Sequence, residues 1–94
     1  MDTQQMIDFI HEKQKEHECY WMQEMVTNGA AWFMEGSIGR VAMAGLTTGE
    51  FFLPEVGCRD FYGNYVPSRD ELEPGSKGTL DNAYQYWSEV IETI

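Results

Sequence analysis

The apolar positions of residues 3–28 recur with a helical period. Projected at about 100° per residue, Met6, Ile10, Gln14, His17, Trp21 and Met25 share one face, with Ile7 beside them. One long helix is expected, capped by Thr3, favoured at its positive end by Asp2 and stopped at Asn28 and Gly29. Its stripe is apolar at both ends and polar in the middle, where Gln14 and His17 stand.

After Gly29 the pattern changes. Gly36, Gly39, Gly45 and Gly49 recur too often for a stable helix, and the apolar residues come in short runs. Strands are expected over residues 30–34, 40–44 and 50–53, with turns over 35–39 and 47–49; a short helix over 37–44, capped by Ser37, is the alternative. Residues 59–66 set Phe61, Tyr62 and Tyr65 around Gly63-Asn64, a dipeptide that closes tight hairpins, and Pro67 edges the second strand. Residues 68–75 read as a polar connection that forms at most one helical turn. A second helix is expected over 80–93: Thr79 caps it, Asp81 lies in its first turn, and Leu80, Ala83, Tyr84, Trp87, Val90, Ile91 and Ile94 repeat at helical spacing.

These elements add up to an α+β fold: a long N-terminal helix, a small antiparallel sheet of three to five short strands, and a C-terminal helix packed on the sheet or against the first helix. The 94 residues suit one domain, 1–94, with one modest core. The length of the first helix is awkward for such a domain. About 26 residues span roughly 39 Å, whereas a compact chain of this size is roughly 32 Å across. The helix must break near its polar middle, lie across a second subunit, or offer one end to a partner. Met6, Ile7 and Ile10 are the candidate oligomer interface, and a homodimer is the corresponding expectation.

Charge narrows the functional classes. Sixteen acids against six Lys and Arg give a net charge of −10, which repels a phosphate backbone and argues against direct nucleic-acid binding. The N-terminus lacks a basic region followed by an apolar core, and no apolar run approaches the roughly 18 residues that span a bilayer. A cytoplasmic chain is expected, with Cys19 and Cys58 as unpaired thiols and no membrane partner.

No constellation carries chemistry. Asp8, His11, Glu12, His17 and Cys19 are the nearest approach to a metal cluster, but His17 and Cys19 point to different helix faces and the second helix adds no histidine. Cys58 beside Arg59 lacks an assignable base. The glycines of 36–49 lack the Gly-Lys-Ser/Thr ending of a phosphate loop. No catalytic residue, metal or cofactor is therefore expected, and the chain reads as a non-enzyme. The expected function is a small acidic protein-binding module that inhibits a partner by occupying its basic, nucleic-acid-binding surface, in the manner of phage and mobile-element proteins of similar size and charge. Its contacts would be Glu12, Glu16, Glu24, Asp70, Glu71 and Glu73, with Tyr20 and Tyr62 as exposed aromatic anchors. A structural or regulatory homo-oligomer is the alternative.

Overall fold

A computed structural model of the chain describes residues 2–34 and 36–90. In chain order these form α1 (Thr3–Glu16), α2 (Tyr20–Thr27), a 3-10 helix (Ala30–Phe33), α3 (Gly36–Thr48), β1 (Cys58–Arg59), β2 (Tyr65–Val66), a second 3-10 helix (Arg69–Glu71) and α4 (Leu80–Glu89). The α+β expectation is thus overturned. Among the described residues the sheet has two strands, not three to five, and the architecture is helical.

Each misplaced strand has a local reason. Residues 30–33 wind into the 3-10 helix after Gly29, which takes a left-handed φ of 82°, and only Met34 is extended. Residues 40–44 lie inside α3, the alternative reading, because the glycines there serve packing. A Cβ at Gly45 would overlap the Phe51 ring, so glycine lets that ring lie on the helix backbone. Gly49, at φ 103°, is a true turn residue: it ends α3 with its own N–H bonded to the Gly45 carbonyl at 3.0 Å. The expected turn over 35–39 includes Glu35, which lies outside the described residues.

The long first helix is two helices. Asp2, not Thr3, caps α1, because a capping box needs Gln three residues on: Gln5 N–H donates to the Asp2 carboxylate at 2.8 Å and Asp2 N–H to Gln5 Oε1 at 3.0 Å. The helix ends at His17, and Glu18 adopts a left-handed φ of 59°. The three residues between α1 and α2 reset the helical phase. Met22, Gln23 and Val26 therefore turn inward, while Trp21, expected on the buried stripe, is 54% exposed.

The break also removes the overhang. At about 1.5 Å per residue α1 is about 21 Å long, well inside principal extents of 41 × 26 × 18 Å.

Two buried clusters result. Met22, Val26, Ala31, Ala42, Leu46, Phe51 and Leu53 form one; Ile10, Phe52, Leu80, Ala83 and Trp87 form the other. The segment at residues 50–53 joins them. Its side chains alternate, sending Phe51 and Leu53 to the first cluster and Phe52 to the second.

Its backbone pairs with side-chain amides in place of a neighbouring strand. Gln23 Nε2 donates to the Phe52 carbonyl at 2.9 Å, and Phe52 N–H returns a bond to Gln23 Oε1 at 3.1 Å. Gln14 Nε2 donates to Gln23 Oε1 and to the Glu50 carbonyl, both at 2.9 Å, and Trp87 Nε1 donates to the same Glu50 carbonyl at 3.1 Å. Of the two polar residues in the middle of the expected first helix, Gln14 thus joins a buried amide clasp with Gln23, whereas His17 is exposed.

Thr79 caps α4 as expected, its hydroxyl accepting from Asn82 N–H at 3.2 Å. The helix packs against α1 and α3 and not on the sheet. Val90 is its C-cap. The rest of the expected helix to residue 93, with Ile91 and Ile94, lies outside the described residues.

Candidate functional site

A groove of about 1220 Å³ lies between the first 3-10 helix, α3, the hairpin and residues 72–77. Its walls hold side chains that a small domain normally buries. Phe33 is 60% exposed, Phe61 69% and Tyr62 84%, and Met34, Met43 and Tyr65 are also exposed.

The hairpin that supplies three of these rings is shaped by Asp60. The register Cys58↔Val66 and Arg59↔Tyr65 leaves five residues at the tip, correcting the expected two-residue Gly63-Asn64 turn. The longer loop is stable because the Asp60 carboxylate accepts from Tyr62 N–H at 2.9 Å and Asn64 N–H at 2.8 Å. Phe61 N–H donates to the Trp32 carbonyl at 3.3 Å and ties the tip to the 3-10 helix. On the other side Tyr65 donates its hydroxyl to Glu71 at 2.6 Å, and that bond raises the Tyr65 pKa above the ordinary tyrosine value.

The carboxylates singled out by sequence are all exposed, in two groups. Glu12, Glu16 and Glu24 lie on α1 and α2, with Glu16 paired to Lys13 at 3.7 Å. Asp70, Glu71 and Glu73 follow the hairpin; Glu73 lines the groove, and Asp70 lines a smaller cleft with Thr3 and Met6. Tyr62 is exposed at the hairpin tip, its ring meeting that of Phe61 edge-on at 5.3 Å. Tyr20 is not a free anchor: its ring meets His11 edge-on at 4.9 Å and carries the Lys15 ammonium at 4.8 Å. The proposed oligomer residues are also engaged within the chain, since Ile10 is fully buried and Met6 and Ile7 pack against the same cluster.

The titratable groups serve packing. His11 lies against Phe52 and Tyr20, where burial and then Lys15 hold its pKa below the usual histidine value. His17 meets the Trp87 ring in a tilted contact, with centroids 5.2 Å apart. Burial, then the charge of Glu50, pushes the Cys19 thiol up to about 11. Burial and Asp60 also raise Cys58. Both thiols are free, and neither shift favours a thiolate. Among the described residues no group of three or more His, Cys, Asp or Glu is placed to hold a metal, and no helix is long and apolar enough to cross a membrane.

Sequence reasoning missed Phe33, Met34, Arg40, Met43 and Lys77 as a group. The helical alternative for 37–44 held a clue, because it sets Arg40 and Met43 three residues apart on one helix face. Comparison with protein families, with curated proteins and with solved structures finds no match to this chain.

Proposed function

We propose that the chain is a non-catalytic protein-binding module whose carboxylates dock it on the basic surface of another protein, such as the nucleic-acid-binding face of a phage-targeted nuclease. One observation carries this reading: Glu12, Glu24, Asp70 and Glu73 are exposed and form no ion pair among the described residues, so the excess negative charge faces outward. Such a surface speeds encounter with a basic partner and makes the association salt-sensitive. A cytoplasmic setting, where Cys19 and Cys58 stay reduced, belongs to the same reading. The homo-oligomer alternative rested on Met6, Ile7 and Ile10, which are occupied within the fold.

The test is capture from the native host with the wild-type chain and with a variant carrying Glu12→Gln, Glu24→Gln, Asp70→Asn and Glu73→Gln. A basic partner should be retained at low salt, released at high salt, and bound at least about tenfold more weakly by the variant. Salt-independent capture, or equal capture by the neutralised variant, refutes the reading.

A further inference from the structure

The chain has six Lys and Arg residues, and four of them are used internally. Lys13 pairs with Glu16 and approaches the Phe9 ring. Lys15 lies over Tyr20, and Arg59 bonds the Gly63 carbonyl at 3.0 Å and covers the Tyr65 ring. Arg69 holds the Leu53 carbonyl and Glu55, each at 3.1 Å, and packs on Phe52. The other two, Arg40 and Lys77, make no ion pair, hydrogen bond or ring contact with described residues. Both line the groove.

On a chain of net charge −10, Arg40 and Lys77 thus stand in a largely apolar groove. Of the two carboxylates lining it, Asp60 is occupied by the N–H groups of its own loop, which leaves Glu73. An apolar wall with a few convergent polar groups is the usual make-up of a small-ligand site, and a volume of about 1220 Å³ is ample for one.

We propose that the groove binds a small amphiphilic anion, an alkyl or aromatic body with one carboxylate. The body would lie on Phe33, Met43, Phe61 and Tyr62, and the head would be held by Arg40 and Lys77. The planar guanidinium suits a carboxylate, and the ammonium adds a second charge without demanding one geometry. This site is separate from the carboxylate face proposed above, so either reading can fail alone.

Trp32 lines the groove and supplies the readout. The probe is bromine-labelled decanoate, used below its micelle concentration, with labelled decanol and labelled decyltrimethylammonium as neutral and cationic counterparts. Saturable quenching is expected from the acid, at concentrations about tenfold lower than for the alcohol. The exposed pair Arg40→Gln and Lys77→Gln should erase that preference at an unchanged melting temperature, leaving weak apolar binding. Trp32→Phe removes a buried indole N–H that has no acceptor, and should abolish the quenching.

The proposal is overturned if decanol or the ammonium compound binds as tightly as the acid, if the preference survives loss of both cations, or if quenching survives Trp32→Phe. It is equally overturned if sedimentation shows a dimer whose groove excludes decanoate, because a second copy is then the occupant.

Discussion

Gln14 and Gln23 are both fully buried and bonded to each other, yet their replacement by leucine should have very different effects. Gln23→Leu strips both Phe52 backbone groups of their partners, since Gln23 accepts from Phe52 N–H and donates to Phe52 C=O. Phe52 is 3% exposed, so water cannot replace the amide. Each stranded buried group costs about 1–3 kcal/mol, and the added apolar burial returns about 1 kcal/mol. The net loss is about 1–5 kcal/mol, a large part of the roughly 5–15 kcal/mol that holds a domain together.

Gln14→Leu strands nothing. Gln23 Oε1 still accepts from Phe52 N–H, the Glu50 carbonyl still accepts from Trp87 Nε1, and Gln14's own Oε1, which has no partner, disappears. That variant should lie within about 1 kcal/mol of wild type. Urea unfolding of the two variants decides the matter, with melting shifts of about 4–8 °C per kcal/mol as a check. Equal losses for both, or a Gln23→Leu loss under about 1 kcal/mol, would show that the clasp does not hold the segment at residues 50–53.

Three further outcomes follow from the same geometry. Glu18→Gly should stabilise by about 0.5–1 kcal/mol, because relief of a left-handed non-glycine residue outweighs the added freedom of the unfolded chain; a destabilised variant in thermal melts would show that the Glu18 side chain matters more than its φ of 59°. Gly45→Ala should destabilise by about 1–3 kcal/mol, since its methyl meets the Phe51 ring, and a neutral result in urea would contradict that packing. His11, held below its unfolded value of 6.5, disfavours protonation in the fold, so its contribution is complete above that value and is lost as pH falls through the lower folded-state value. Wild type should therefore lose more stability than His11→Gln between about pH 7 and about pH 5, and parallel curves would refute the assignment.

What the sequence discloses about this fold depends on how local the determinant is. Asn28-Gly29, the Thr79 cap and the period of α4 are settled within a few residues of chain, and each appears where it was expected. Length alone pointed to a break near the polar middle of the first helix as one of three outcomes, but not to its place or its phase shift, because the residue that makes it, a glutamate in a left-handed conformation, has no sequence signature. The glycines of α3 misled for the opposite reason. Glycine weakens a helix by its backbone freedom, and only the distant Phe51 ring explains why Gly45 is nevertheless inside one.

The same contrast separates the two candidate surfaces. Exposure of the carboxylates follows from their chemistry, because an unpaired charge stays in water wherever the helices run. The groove is not legible in that way, because Phe33, Met43, Phe61 and Tyr62 are individually good core residues and come from three separate elements. Their exposure is a consequence of the amide clasp. Gln14 and Gln23 draw the segment at residues 50–53 between α1, α2 and α4, and Phe51, Phe52 and Leu53 then fill both clusters. With the interior occupied by that segment, the aromatic rings of the 3-10 helix and hairpin line an open cleft beside α3. A variant that loosens the clasp without unfolding the chain should therefore alter ligand binding in the groove, although neither glutamine lines it.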